Sequence, residues 1–141
     1  MKTGHVLSLI MVALLALLGG MALKRWQGDP DMGKRLAENN CGVCHDMTAN
    51  RKHDKGPYLW EIVNRPAGVV DYPFSQAFRK LAEEAPFLWD EAHLDRWLTD
   101  PATFIPRTRM TQQTKEHPLS FDGIKSEGNR KDLIAYLKTL H

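Results

Sequence analysis

The chain has 141 residues, of which 26% are charged, and a net charge of +2. That length fits one domain with a modest core, and the charged fraction argues against wholesale disorder. A net charge this small argues against a nucleic-acid binder. Lys2, Lys24 and Arg25 all precede residue 27, so the rest of the chain sets 16 basic residues against 17 acidic ones and shows no broad positive face.

Residues 6–18 are almost all apolar, and Gly19, Gly20, Met21, Ala22 and Leu23 extend the run. A secretory signal has a basic start, about 7–15 apolar residues and a small-x-small cleavage site. Gly20-Met21-Ala22 supplies such a site. A spanning helix needs about 20 apolar residues, and residues 5–23 nearly supply them. Lys24 and Arg25 stand just past the cleavage point, an awkward place for an export signal, which favours the uncleaved anchor. Basic residues on both flanks leave orientation open. Either reading puts the remainder outside the cytoplasm. The expected organisation is a signal-anchor or signal peptide over 1–25, a short tether over 26–30 and one domain over 31–141. From the end of the apolar run to the first domain helix, a tether of about ten residues reaches at most about 35 Å.

Residues 31–38 read as a helix with Asp29 or Asp31 at its start and Met32 and Leu36 on one face. It runs into Cys41. Residues 46–60 are polar and turn-rich, broken by Lys55-Gly56-Pro57. Residues 75–84 predict a helix with Phe78 and Leu81 as core contacts. Asp90 caps another through Leu98, which Asp100-Pro101 stops. A loop of about thirty residues follows, a length that needs something to organise it. Asn129 caps the last helix, whose apolar stripe is Leu133, Ile134, Leu137 and Leu140. No segment alternates well enough for a strand. The expected fold class is all-α, helices and long loops wrapped around a cofactor.

The only cysteines are Cys41 and Cys44, too few for a four-cysteine zinc site or an iron–sulfur cluster. Cys41-Gly42-Val43-Cys44-His45 is a C-x-x-C-H sequence, the attachment pattern of c-type haem. Two thiols join the two porphyrin vinyl groups, and the next residue lies under the iron, where His45 offers a ring nitrogen. The competing reading is a redox disulfide, but its usual βαβ setting is missing. A sixth ligand must come from the opposite face. Met47 and Met32 are too close in sequence, which leaves Met110 as the downstream methionine, with His93 and His117 as rivals. Two strong axial ligands leave no open position for substrate, which points to electron transfer over catalysis.

The chain resembles the class I cytochromes c, the group of mitochondrial cytochrome c and bacterial cytochrome c2. Gly33-Lys34-Arg35-Leu36 precedes the C-x-x-C-H motif, and Gly56-Pro57-x-Leu59 follows it. Then come Arg65-x-Ala67-Gly68, Tyr72-x-Phe74-Ser75-x-Ala77, Trp89, and Pro101-x-x-Phe104-Ile105-Pro106-x-Thr108-x-Met110. Phe121-x-Gly123-Ile124-Lys125 and Arg130-x-Asp132-Leu133-Ile134-Ala135-Tyr136-Leu137 complete the series. The resemblance implies one covalent haem c held by Cys41 and Cys44, with His45 and Met110 as iron ligands. It implies that the Pro57 carbonyl accepts the other ring N–H of His45, that Arg65, Trp89 and Tyr72 serve the haem propionates, and that Trp97 lies near the methionine side. Several positions depart from the family pattern. Arg107 stands where a glycine is usual, Arg109 where a lysine is, Ala37 where an aromatic residue packs the first helix on the last, and Phe74 where a tyrosine is. Residues 112–120 look like an inserted loop.

The implied function is single-electron transfer, not enzymatic, on the periplasmic side of a bacterial inner membrane. The soluble domain is expected to be monomeric. Its partners would be a quinol-oxidising complex and a terminal oxidase. Lys34, Lys52, Lys55, Arg107, Arg109 and Lys125 are candidate steering charges. A peroxide-type haem enzyme is the alternative, and His117 in the inserted loop is the feature that invites it.

Overall fold

The computed structural model describes residues 3–113 and 119–141, without the side chains of 3–7 and 21–26. Among these the regular structure is helical: α1 (Thr3–Gln27), α2 (Pro30–Asn40), α3 (Gln76–Glu84), α4 (Glu91–Thr99), α5 (Pro101–Phe104), a 3-10 turn (Arg109–Thr111) and α6 (Glu127–Leu137). The nearest approach to a strand is an isolated bridge between Pro66 and Leu88. The all-α expectation holds.

Each domain helix starts on a capping oxygen, which satisfies backbone N–H groups that would otherwise lack partners. Asp29 caps α2, Ser75 caps α3, Asp90 caps α4 and Asp100 caps α5. Two sequence expectations change here. Ser126, not Asn129, caps α6; the Asn129 N–H donates to the Ser126 hydroxyl. Asp100-Pro101 ends α4 but also begins α5, because a proline is well suited to the first helical position. The long loop after residue 100 is thereby organised by α5 and the 3-10 turn.

The most extensive helix pair is α2 on α6. The buried residues of α2 are Gly33 and Ala37, while Met32 is 41% exposed and Leu36 half-buried, so the Met32–Leu36 face is not the most buried one. The reason is proximity: a Cβ at Gly33 would lie 1.9 Å from the Asp132 carbonyl oxygen and 2.8 Å from the Tyr136 Cβ. Small residues let the two backbones touch, and Ala37, fully buried, fills the place of the usual aromatic. Leu133, Ile134, Leu137 and Leu140 are all buried, as their spacing predicts, with Leu94, Leu98, Ile105, Phe78 and Trp89.

The link from α1 to α2 is short. α1 runs to Gln27 and α2 begins at Pro30, so Gly28 and Asp29 are the only non-helical residues of the 26–30 stretch. Gly28 adopts φ +83, and a Cβ there would lie 2.4 Å from the Lys131 carbonyl oxygen. The Asp29 N–H donates to the Asp132 carboxylate at 2.7 Å. The link is thus seated on α6. Among the described residues no helix is long and apolar enough to cross a membrane. The described side chains of α1, residues 8–20, are exposed all round, Leu9 at 70% and Leu17 at 65% among them.

Candidate haem site

α2 ends with Cys41 as its C-cap. The Cys44 N–H (3.0 Å) and the His45 N–H (2.9 Å) both donate to the Cys41 carbonyl, which winds residues 41–45 into one tight turn. Cys41 is buried, Cys44 is half-buried, and both are free thiols. Burial, with a contribution from Cys44, pushes the Cys41 thiol up to about 12. It therefore stays neutral at physiological pH, unlike the low-pKa cysteine of a C-x-x-C redox centre.

The His45 Nδ1–H donates to the Pro57 carbonyl at 2.6 Å. That bond fixes the tautomer and leaves Nε2 as the lone-pair nitrogen. Burial lowers the imidazole's proton affinity, against the Pro57 carbonyl and the Asp54 charge, which raise it. Gly56 is packed flat against the ring, where a Cβ would meet Cε1 at 2.3 Å and Nδ1 at 2.6 Å. Its N–H donates to the Cys44 carbonyl at 2.8 Å, and the Lys55 ammonium donates to the Val43 carbonyl at 3.1 Å. Segments 41–45 and 54–57 are therefore laced together through backbone groups.

Around them runs a continuous set of rings. Tyr72 meets Phe74 at 5.1 Å, Phe74 stacks on Phe78 at 4.3 Å, Phe78 lies 6.2 Å from Trp89, and Trp89 lies 5.6 Å from Trp97. The Tyr72 hydroxyl donates to the Lys55 carbonyl, and partial burial raises its pKa. Arg65 is half-buried, donates to the carbonyls of Trp60 (3.0 Å) and Tyr58 (2.9 Å), and lies over the Tyr58 ring. Its own carbonyl accepts the Trp89 N–H at 2.9 Å. Arg65 is thus built into the fold and is not a loose surface cation.

Met110 is half-buried in the 3-10 turn, and its carbonyl accepts the Phe121 N–H at 3.0 Å. Arg109 beside it donates to the Pro73 carbonyl at 2.8 Å. Arg107 adopts φ +63, the left-handed conformation that explains why the resembling family has glycine there. Of the rival ligands, His93 has its Nδ1 paired with Asp90 at 2.9 Å and its ring stacked on Phe87. His117, and most of the 112–120 loop, lies outside the described residues.

The structure therefore brings Cys41, Cys44, His45 and Pro57 into one cluster. It joins Tyr72, Trp89, Trp97 and Arg65 through rings and backbone, and ties the Met110 turn to the Tyr72 segment. Two elements of the site were not legible: the Tyr72–Lys55 bond, because a carbonyl acceptor has no sequence signature, and the Arg109–Pro73 bond, for which the arginine in place of lysine was the only sign. The residues fit one c-type haem. Two free thiols sit on one turn, an imidazole has Nδ1 anchored and Nε2 without a hydrogen bond among the described residues, and a thioether stands on a separate loop.

The cytochrome c family model matches residues 31–141. Cytochrome c of Theileria annulata is 34% identical over 112 residues, 79% of this chain and 86% of its own length. Cytochrome c of Euglena viridis is 33% identical over 114 residues, 80% of this chain and 98% of its own. A cytochrome c homolog of Rickettsia felis is 34% identical over 110 residues, 77% of this chain and 55% of that protein. Proteins of this kind carry one covalently attached haem c and transfer electrons; they are not enzymes. The free thiol pair, the anchored imidazole, the methionine turn and the matched sequence agree, and the chain belongs to the cytochrome c family, of class I.

Proposed function

We propose that this protein carries single electrons between membrane complexes on the periplasmic side of a bacterial inner membrane, with His45 and Met110 as the axial ligands of its haem iron. The observation that carries this reading is the His45–Pro57 bond. It holds the ring in one tautomer and presents Nε2 as the coordinating nitrogen. The Cys41 and Cys44 thiols would each add across one porphyrin vinyl group, S–H and C=C becoming a C–S thioether and a C–H bond. The bound haem supplies the ferrous–ferric couple.

The chain's own residues do the rest. A thioether at Met110 favours the ferrous state and raises the reduction potential. With His45 and Met110 both holding the iron, no position would be left for a substrate, which suits electron transfer over catalysis. Arg65 would offer a fixed charge, and the Trp89 indole a polar hydrogen, to the haem propionates, whose burial without partners would be costly; the Tyr72 hydroxyl, expected there from the resemblance, donates instead to the Lys55 carbonyl. Trp97 packs on Trp89 and is proposed to lie near the methionine side of the haem.

The partners proposed are a quinol-oxidising complex as donor and a terminal oxidase as acceptor. Lys34, Lys52, Lys55, Arg107, Arg109 and Lys125 are the candidate steering charges. Four of them are engaged within the fold: Lys34 with Glu38, Lys55 on Val43, Arg109 on Pro73, and Lys125 on the carbonyls of Thr99 and Asp122. With the near-neutral balance of the domain, this supports weak steering and a modest salt dependence of oxidase reduction. Residues 5–23 are proposed to remain as a membrane anchor, a reading supported by the apolar run of residues 6–18. Mass spectrometry of the mature protein tests this, since loss of residues 1–22 would mean an export signal instead.

The ligand assignment is tested by the ferric absorption spectrum of the haem-loaded protein beside Met110→Ala. A weak far-red band in the parent that vanishes in the variant is the expected result. Its absence from the parent would refute methionine ligation.

A further inference from the structure

The segments that present the two proposed iron ligands are far apart in sequence, 54–57 behind His45 and 105–111 around Met110. One dipeptide touches both. The Tyr72 hydroxyl donates to the Lys55 carbonyl. The next residues after Lys55 are Gly56, which lies against the His45 ring, and Pro57, whose carbonyl accepts the ring N–H. On the other side, the Pro73 carbonyl accepts from Arg109 at 2.8 Å, one residue before Met110.

The dipeptide is itself held. The Tyr72 N–H donates to the Val70 carbonyl at 2.9 Å, and the Phe74 N–H to the Tyr72 carbonyl at 2.7 Å. The Phe74 ring stacks on buried Phe78 of α3 at 4.3 Å. Such a segment cannot shift at one end without being felt at the other. The methionine turn needs this support, because it follows Arg107 at φ +63, a conformation that a non-glycine residue adopts at a cost.

We propose that Tyr72 is a positioning residue for both axial ligands, its hydroxyl and the Pro73 carbonyl together forming a strut that holds the His45-bracing segment and the Met110 turn in one rigid arrangement. The inference rests on the ligand assignment above. Tyr72 acts on the iron through Lys55, Gly56 and Pro57 on one face and through Arg109 on the other.

The test uses the haem-loaded protein with imidazole as a competing ligand, beside the Tyr72→Phe and Arg109→Leu variants. Tyr72→Phe keeps the ring and its packing and removes only the hydroxyl. A more mobile methionine turn admits imidazole more readily, and loss of one hydrogen bond predicts an affinity rise of about fivefold. Because one strut serves both bonds, the double variant rises by clearly less than the product of the two single changes. Amide exchange at Gly56, whose N–H donates to the Cys44 carbonyl, speeds up in Tyr72→Phe and also in Arg109→Leu, whose site is on the other loop.

Imidazole affinity within twofold of the parent in Tyr72→Phe, or two changes that simply multiply, would overturn the strut. So would unchanged Gly56 exchange in Arg109→Leu. Failure of the ligand assignment shows separately, as absence of the far-red band from the parent, and the Gly56 exchange still decides whether the two loops are coupled.

Discussion

Gly56→Ala replaces one hydrogen with a methyl group at the back of the His45 ring. The added carbon would lie 2.3 Å from Cε1, 2.6 Å from Nδ1 and 2.8 Å from Nε2. Ordinary contact begins about 1 Å farther out, so the ring or the segment must move by that much. The ring cannot yield cheaply, since its Nδ1–H is bonded to the Pro57 carbonyl at 2.6 Å. The segment cannot either, since the Gly56 N–H is bonded to the Cys44 carbonyl at 2.8 Å. Losing one of these bonds costs about 1 kcal/mol, and overpacking adds about 1–3 kcal/mol. A total of about 3 kcal/mol lowers the unfolding temperature by roughly 12 °C in a domain of this size. Circular dichroism melts of the haem-loaded variant and parent measure this, with the visible spectrum recorded alongside. Gly128→Ala is the control: the nearest heavy atom to its added carbon is the Ser126 hydroxyl at 3.8 Å, and a gain of about 0.5–1 kcal/mol is expected from helix propensity. A Gly56→Ala protein melting within about 3 °C of the parent, with the same spectrum, would refute the account of His45 as a ring clamped between two backbone segments.

Three other expectations follow from the same geometry. Arg107→Gly removes the left-handed strain at φ +63, and after the entropy lost to glycine it raises stability by about 0.5 kcal/mol in urea unfolding. Arg130→Lys abolishes a fork that donates to the Asp95 carboxylate at 2.7 Å and to the Ile124 and Lys125 carbonyls; the loss is about 2 kcal/mol by urea unfolding. The Asp100 carboxyl is held below its usual range, first by the Thr103 N–H and then by the Thr103 hydroxyl. A depressed pKa stabilises fully above the unfolded value of 3.8 and loses that support as pH falls through the lower folded value. Asp100→Asn should therefore show a shallower fall of melting temperature with acid than the parent.

Helix existence was legible wherever an amphipathic run met a capping residue, as at Ser75 and Asp90. The cap of α6 was misplaced because Ser126 and Asn129 both have the chemistry, and the chain enters the helix three residues earlier than the apolar stripe requires. The buried face of α2 was not marked by its apolar residues. Hydrophobicity marks faces that bury large side chains, whereas Gly33 and Ala37 are buried because two backbones meet there. Of the site, the thiols and the imidazole were legible because their chemistry forces their spacing, and Pro57 through family likeness. The methionine was selected by its place in the chain and then by family likeness. What binds the loops together was not legible, since it passes through carbonyl groups that every residue carries.

The seated link between α1 and α2 bears on how such a carrier meets its partners. With α1 in a bilayer, two non-helical residues separate the membrane helix from the haem domain, a reach of about 7 Å. A ten-residue tether would sweep a hemisphere; this one, if α1 is retained as the proposed anchor, would hold the domain beside the lipid headgroups and confine its motion to drift in the plane. The effective concentration it presents to a neighbouring complex is then high and one-sided. A distant acceptor gains nothing from more of the protein until the two diffuse into the same patch of membrane. Electron flow would answer to how the membrane is crowded and organised, not to the volume of the compartment beyond it.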